Sequence, residues 1–299
     1  EDTTGLNRFN RVAGIDLNLA SSDNKWTGKI MAHQSFYPGA DGDATTLGGI
    51  VSYENQKMAV GLSHTRVGAD FLAEVGYIRR TGYMEFGPHF GYRFYPNSNT
   101  IANHGPIFES SFIYDTDFNI TDTETEVGYR IEWFNRTLLT AEFENGYIKL
   151  LSPFDPTNTG GDSLAAGSEY RWNEFEINYL SDIRKAFNYE AGIRYGGYYN
   201  GHRLSLEGIL NYRVQPYGYL ALVTTFNQIK LPEPYNSADL LLIGPRLDIT
   251  FTDNVFLTTF VQYNNQIDNL NLNVRFQWRY APGSDFYIVY TENTYTENF

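Results

Sequence analysis

Long segments in which polar and apolar residues alternate constrain the fold of this chain more than any other feature. In residues 269–280, NLNLNVRFQWRY, every second side chain is apolar, and amides or guanidinium groups stand between them. A β-strand has a side-chain period of two, so this segment has one apolar face and one polar face. Strands of globular proteins average about 5–6 residues, so the length of this segment is itself informative.

The alternation recurs along the whole chain, whereas helical periodicity is hard to find. About sixteen segments are predicted as strands, each long enough for the roughly 9–11 residues that a tilted strand needs to cross a bilayer. We predict one domain over residues 1–299, with no internal linker. The predicted strands are 10–20, 25–37, 44–54, 57–66, 82–96, 99–114, 121–134, 138–151, 168–181, 186–198, 202–214, 217–230, 239–251, 254–266, 269–281 and 285–293.

Two environments suit strands that have one apolar and one polar face. In a soluble sandwich the apolar face packs into a core. In a membrane barrel the apolar face contacts lipid and the polar face lines the lumen. Strand length, unbroken hairpin order and aromatic residues near strand ends favour the membrane barrel. The sequence therefore predicts an all-β, transmembrane, antiparallel up-and-down β-barrel in a bacterial outer membrane, in contact with lipid and lipopolysaccharide.

Composition argues against several other classes of protein. The net charge is −13 and the pI about 4.8, which argues against nucleic-acid binding because phosphates require a positive surface. There is no cysteine, so disulfides and thiolate metal sites are excluded. No run of about 18 apolar residues predicts a transmembrane helix. No cofactor and no metal site are predicted.

The lengths of the connections predict an orientation. Connections after odd-numbered strands are tight, while those after even-numbered strands include the longest, 67–81, 152–167 and 231–238. Outer-membrane barrels place short turns in the periplasm and long loops outside. Both chain ends would then lie outside the cell. We therefore expect at least one missing strand at each end, and a complete barrel of about eighteen or more strands.

Three segments resemble a known family. They are residues 1–37, which contain NRFNRVAGIDLNLASSDNKWTGKIMAHQSF, then 74-EVGYIRRTGY-83 and 275-RFQWRYAPGSDFYIVYTENTY-295. They are similar to the barrel region of Bacteroidetes outer-membrane proteins that are usually named carbohydrate-binding family 9 domain-containing proteins. The resemblance covers essentially the whole chain. It implies a barrel of unknown function, which in the family follows a periplasmic β-sandwich and ends in a further strand. It brings no catalytic residues.

Charged residues on the polar faces of the predicted strands are the main candidates for function. Rings of such charges could set the selectivity of a pore. Opposite charges could instead simply pair across neighbouring strands. Glu142 and Glu144 belong to this set. The other lumen-lining candidates are Glu85, His89, Arg93, Glu126, Arg130, Glu132, Arg203, Glu207, Arg213, Arg246, Asp248, Arg275 and Arg279.

The connection 67–81 is too long for a hairpin and carries several charges. It is either a constriction loop folded into the lumen or an ordered surface loop, since long ordered loops often carry function. As a constriction loop it would bring Glu74, Arg79 and Arg80 to the inward-facing charges.

The sequence leaves several functions open. The first is a pore, or an anchor for envelope transport or glycan-related processes. A second is a non-conducting scaffold that docks other envelope proteins. A third is an outer-membrane lipid hydrolase using His104 with Ser110 or Ser111, although no nucleophile elbow is present and we predict no enzyme. Residues 115–126 match an EF-hand spacing, but Ile120 stands where the calcium loop needs glycine.

Overall fold

The computed structural model describes residues 9–295 of the chain, and these residues form one antiparallel β-sheet. Residues 1–8 and 296–299, at the ends of the segments that carry the family resemblance, lie outside the described residues. The strands are β1 (Arg11–Ala20), β2 (Trp26–Phe36), β3 (Thr45–Glu54), β4 (Met58–Val67), β5 (Tyr83–Tyr92), β6 (Ile101–Asp115), β7 (Ile120–Trp133), β8 (Leu138–Lys149), β9 (Glu169–Leu180), β10 (Phe187–Tyr198), β11 (Gly201–Val214), β12 (Gly218–Lys230), β13 (Ala238–Thr252), β14 (Val255–Asn264), β15 (Asn269–Ala281) and β16 (Ser284–Tyr295).

Each strand pairs with the next strand along the chain, so the sheet has up-and-down order from β1 to β16. The prediction of an all-β, antiparallel, sixteen-stranded arrangement is confirmed for residues 9–295. Within this range β1 and β16 are the two edges of the sheet and do not pair with each other. No helix in the described range is long and apolar enough to span a bilayer.

The largest difference from the predicted boundaries lies at the end of β5. The pattern predicts a strand to residue 96, but β5 ends at Tyr92. Beyond it, Phe94 forms an isolated bridge with His104. The register of β6 against β7 shifts between Ile101 and Asn103, so the chain near this turn departs from regular pairing.

The two faces of the sheet differ in exposure in the opposite sense to a soluble sandwich. On β9, Glu174 is 1% exposed and its neighbour Phe175 is 64% exposed. On β10, Ile193 and Tyr195 are exposed, whereas Asn188 on the other face is buried. The polar side of the sheet is therefore the sheltered side, and the apolar side is open.

Aromatic side chains occupy the apolar face near the short turns. Each lies within a few residues of a connection that follows an odd-numbered strand. The exposed members of this band are Trp26, Phe187, Tyr212, Phe251, Trp278 and Tyr280.

The longest connections lie at the other end of the sheet. Both follow even-numbered strands, loop 68–82 after β4 and loop 150–168 after β8. The predicted asymmetry of connection length is therefore present between the two ends of the sheet. Tight turns at the short end use left-handed backbone, as at Asn24 (φ 53°) and Gly283 (φ 74°).

Candidate functional site

The strand register places every lumen-lining candidate that lies in a strand on one face of the sheet, here called the polar face, and Arg93 directly follows the end of β5. Residues directly opposite each other in antiparallel strands share a face. His89 is opposite Glu109, and Glu109 is opposite Glu126. The same register leads across the remaining strands to Asp248 and Arg275.

A lateral row of carboxylates crosses four neighbouring strands of the polar face. Glu109 is opposite Glu126, Glu126 is opposite Glu144, and Glu144 is opposite Glu174. Like charges directly opposite each other destabilise a sheet. This carboxylate row therefore needs cations, and two arginines from β10 and β11 supply them.

Arg194 of β10 lies between Glu144 of the carboxylate row and Glu176, a further polar-face glutamate of β9. Its Nη1 is 3.4 Å from Oε2 of Glu144, and its Nη2 also forms an ion pair with Glu176. The Glu144 side chain is only 8% exposed. One guanidinium thus offsets the charge of two carboxylates on adjacent strands.

Arg203 of β11 binds Glu174 of β9 through both of its facing nitrogens. The Nε–Oε1 distance is 3.1 Å and the Nη2–Oε2 distance is 2.6 Å, which is the bidentate geometry of strong arginine–carboxylate pairs. The guanidinium also lies 4.4 Å from the ring centroid of Tyr198, at cation–π distance. The Glu174 side chain is nearly fully buried in this pair.

Some carboxylates of the polar face have no cationic partner. Within residues 9–295, the side chains of Glu124, Glu126 and Glu142 form no ion pair. Single oxygens of Glu124, Glu126 and Glu144 all lie within 4.8 Å of one another. These three could contact a cation, although calcium prefers 6–8 oxygen ligands.

The polar face becomes richer in arginine toward β13 and β15. Arg246 pairs with Asp248 on its own strand at 3.0 Å. Arg279 pairs with Asp285 of β16 at 3.4 Å. These are partly exposed pairs, which contribute little to stability individually.

Two further arginine candidates contact neutral groups. The guanidinium of Arg213 donates a hydrogen bond of 2.9 Å to the carbonyl oxygen of Lys185, near the short turns. The guanidinium of Arg275 lies 5.9 Å from the ring centroid of Tyr287. Neither is in an ion pair within residues 9–295.

The candidates on β5 and in the turn after it form a separate group. Ser111 donates a hydrogen bond of 2.9 Å to Oε1 of Glu85. Arg93 pairs with Glu54 at 3.1 Å. His89 and Arg93 line the same cavity of about 340 Å³. The structure therefore brings His89 and Arg93 to one cavity, which Glu85, Arg203 and Arg275 do not line.

The last candidates lie on β7 and β11. Glu132 accepts hydrogen bonds of 3.0 Å from Asn103 and from Arg136, so it serves the turn after β7. Arg130 lies on the polar face opposite a β8 threonine, and Glu207 lies opposite Gly192 on β10.

Loop 68–82 joins the paired strands β4 and β5, but it also contacts more distant parts of the sheet. Near its start, the backbone carbonyl of Leu72 accepts a hydrogen bond of 2.9 Å from Asn10, just before β1. Near its end, Arg80 donates to Asp122 of β7 at 2.8 Å and to Thr121 at 3.1 Å. The loop therefore spans the distance between the β1 and β7 regions at the long-loop end.

The three loop candidates have different positions. Arg80 is bound to β7, as described above. Arg79 lines a cavity together with Glu144, Arg194 and Arg203. Glu74 is exposed, and its backbone N–H donates to Asn10 at 3.2 Å. Only the two arginines of the loop are thus brought to the charged residues of the polar face.

Loop 150–168 contacts connections between strands that are even more distant along the chain, which the sequence did not indicate. Gln266, in the connection between β14 and β15, donates to the carbonyl oxygens of Thr157 at 3.3 Å and Asn158 at 3.2 Å. Asn236, between β12 and β13, donates to Thr159 at 3.2 Å. These contacts cross from β8–β9 to β14–β15, so the sheet curves enough to bring these ends together.

Asp155 organises this loop. Its carboxylate accepts hydrogen bonds from the N–H and hydroxyl of Thr157 at 2.9 and 2.7 Å, and from the N–H groups of Thr159 at 3.0 Å and Gly160 at 3.1 Å. Partial burial opposes ionisation, but these hydrogen bonds outweigh it and lower the pKa of Asp155.

An aromatic cluster lies at the same end of the sheet. Tyr199 has a left-handed backbone (φ 51°) and stacks on Trp172 at 5.5 Å between ring centroids. It also contacts Phe154 of loop 150–168 at 5.4 Å. Burial raises the pKa of Tyr199 to about 12, so this phenol stays neutral.

The charged network, loop 68–82 and the aromatic cluster enclose a cavity of about 420 Å³, here called the Arg79 cavity. Loop 68–82 supplies the guanidinium of Arg79, strands β7–β9 supply carboxylates, and Trp172 and Tyr199 supply aromatic surface. The buried indole N–H of Trp172 has no hydrogen-bond partner within the described range.

Sequence reasoning missed part of this network. The missed residues follow the same alternation as the others, as in 174-EFEI-177, where glutamates alternate with Phe175 and Ile177. Extending the alternation to every strand would have found them. They are Glu109, Glu124, Glu174, Glu176 and Arg194.

The residues considered for hydrolysis have other partners. Nδ1 of His104 lies 2.5 Å from the hydroxyl of Tyr129. The hydroxyl of Ser110 lies 2.7 Å from that of Thr125, and Ser111 is bonded to Glu85. No serine–histidine hydrogen bond occurs in residues 9–295.

The acidic segment after β6 is a hairpin tip. Oδ1 of Asp115 accepts hydrogen bonds of 2.9 Å from the backbone N–H groups of Asp117 and Asn119. Glu126, which would complete the EF-hand spacing, belongs instead to the carboxylate row on the polar face.

Searches against protein-family models and curated proteins return no match to this chain.

Proposed function

We propose that this chain forms an integral outer-membrane β-barrel whose polar face lines a pathway for hydrophilic solutes. The observation that supports this proposal is the exposure of the two faces. An apolar side that is open and a polar side that is sheltered fit lipid outside and water inside. In water, leaving apolar surface exposed costs about 25 cal/mol of free energy per Å² relative to burying it. Contiguous apolar patches above a few hundred Å² mark membrane or protein contacts.

Three further features support a membrane location. The strands contain 10 to 15 residues, as membrane-spanning strands require. The aromatic band near the short turns resembles the interfacial girdles of outer-membrane barrels. The resemblance to the Bacteroidetes barrel family agrees with the strand lengths and with the position of the aromatic band. A closed barrel also requires partners for the edges of β1 and β16, because unpaired backbone groups are unfavourable in lipid.

Fractionation and detergent extraction test the membrane assignment. We expect the chain in the outer-membrane fraction, soluble only with detergent, and migrating faster on a gel before heating than after it. A folded monomer that is stable in buffer without detergent would contradict the proposal. Discrete current steps in a planar bilayer would support the solute pathway.

A non-conducting scaffold barrel is the second candidate, and loops 68–82 and 150–168 favour it. Both cross between distant strands at the same end, where they would narrow the opening of a barrel. Absence of current steps from a correctly inserted protein, together with a stable co-purifying envelope protein, would favour the scaffold. Current steps that grow when Gln266 and Asn236 are both changed to alanine would favour a pathway partly covered by loop 150–168.

A further inference from the structure

The Arg79 cavity is lined by some charged groups that form no ion pair with another described residue of the polar face. Arg194 and Arg203 are occupied by Glu144, Glu176 and Glu174. The guanidinium of Arg79 has neither a hydrogen bond nor an ion pair within residues 9–295. One cation of the cavity is therefore available to a ligand.

The same cavity offers negative charge. Glu124 lines the cavity, and neither it nor the adjoining Glu126 forms an ion pair in the described part of the chain. Their oxygens lie within 4.8 Å of each other and of Glu144. An ammonium group is a compact donor that could contact several of these oxygens at once.

We propose that the Arg79 cavity binds basic amino acids. Arg79 would bind the carboxylate with its planar fork, and the glutamates would bind the ammonium groups. The charges match, since lysine has one carboxylate and two ammonium groups. The cavity volume of about 420 Å³ lies within the usual range for small-molecule sites. Trp172 and Tyr199 provide surface for the aliphatic stem and for a cation.

This inference rests on the proposed function, because it names a class of solute for the same polar face. Other ligands fit less well. A divalent ion at the three glutamates would have fewer oxygens than calcium prefers and would leave Arg79 without a partner. A simple anion at Arg79 would share the cavity with several carboxylates.

Calorimetry on the full chain in detergent tests the inference, with L-lysine, cadaverine and calcium chloride as separate probes. Cadaverine keeps two ammonium groups but lacks the carboxylate. The variants are Arg79→Gln and the double change Glu124→Gln with Glu126→Gln. Arg184→Gln is the matched control, because Arg184 lies in the turn between β9 and β10 at the other end of the sheet.

We expect wild-type protein to bind L-lysine at least about tenfold more tightly than cadaverine. Arg79→Gln should weaken L-lysine binding about tenfold and leave cadaverine unchanged. The double glutamine variant should bind both L-lysine and cadaverine more weakly. Arg184→Gln should bind each of them as the wild type does. Removing two like charges is not expected to impair folding, and a heat-modifiable gel shift of each variant checks this.

Several outcomes would overturn the inference. One is that folded wild-type protein does not bind L-lysine. Another is that Arg79→Gln weakens the binding of L-lysine and of cadaverine equally. A third is that the protein binds calcium but not L-lysine. The proposed function fails separately. Lysine binding without bilayer current would reject the solute pathway but keep the site, while current without lysine binding would reject the site alone.

Discussion

Glu174 and Arg203 form a bidentate ion pair across an intervening strand. Glu174 is on β9 and Arg203 on β11, and both are opposite Gly196 of β10. With no side chain at Gly196, the guanidinium reaches over β10 to both carboxylate oxygens, at 3.1 and 2.6 Å. The pair thereby links two strands that share no backbone hydrogen bonds.

Changing Glu174 to Gln should destabilise the sheet by about 3 kcal/mol, because removing one member of a buried pair leaves the other charge uncompensated. Urea unfolding in detergent measures this. The double variant Glu174→Gln with Arg203→Gln should recover part of the loss. Strictly additive losses for the two single changes would contradict a direct pair.

Changing Gly196 to Ala should also destabilise the sheet, by about 1–3 kcal/mol, since a side chain would overpack the site. A Cβ there would lie 2.2 Å from the carbonyl oxygen of Asn173 and 2.6 Å from Cα of Glu174. Gly91→Ala is the control, because its Cβ would meet its nearest atom, on Ile107, at 3.9 Å. The same urea midpoint compares the two, and equal effects would reject the close-approach explanation.

Changing Phe175 to Arg tests which solvent contacts the apolar face. Phe175 is 64% exposed at the middle of β9, so in water the change should be nearly neutral. In a bilayer, arginine at mid-depth destabilises a barrel by about 2–4 kcal/mol. We expect reduced assembly into liposomes, measured by the heat-modifiable gel shift. Phe118→Arg, at the exposed tip between β6 and β7, should assemble normally. Normal assembly of both variants would argue against lipid at this face.

Changing Asp155 to Asn should loosen loop 150–168. An amide nitrogen cannot accept the hydrogen bonds that Thr159 and Gly160 donate to Oδ2. Hydrogen exchange of residues 150–168 measures the change and should become faster, while exchange in loop 68–82 stays as in the wild type. Unchanged protection would show that the contacts with Gln266 and Asn236 hold the loop without Asp155.

The same carboxylate predicts a pH dependence for loop 150–168. The pKa of Asp155 is lower in the folded chain than its ordinary value of 3.8. Ionised Asp155 therefore contributes its full stabilisation at pH values above 3.8. This stabilisation is lost as the pH falls through the lower pKa that Asp155 has in the folded chain. Protection factors of the loop amides, which correct for the intrinsic pH dependence of exchange, should fall only in that acidic range, and Asp155→Asn should remove this pH dependence.

The number of strands and the sidedness of their residues could be predicted because a period of two is local information. Arg275 and Arg279 share a face with Glu126 simply because each lies at the correct parity of its strand. Their partners could not be predicted in this way. The pairing of Glu174 with Arg203 depends on the register of two hairpins, and a shift of one residue would reverse the face.

The residues that the two long loops contact could not be predicted from the sequence either. Loop 68–82 could be recognised as unusual from its length and its charges. Nothing in its composition indicated that Arg80 would bind Asp122, while the adjacent Arg79 would line a cavity. The contact of Asn158 with Gln266 joins residues 108 positions apart, so it depends on the curvature of the whole sheet.

The division of the sheet into a sheltered charged face and an open apolar face has a consequence for how the sequence can diverge. Phe175 packs on the ring of Phe143 and Ile177 is likewise apolar, so either can change to another apolar residue without leaving a buried charge. Glu174 and Arg203 can change only together, since either one alone leaves a buried charge. Homologous chains should therefore show correlated exchanges between positions such as 174 and 203, and uncorrelated exchanges at positions such as 175 and 177.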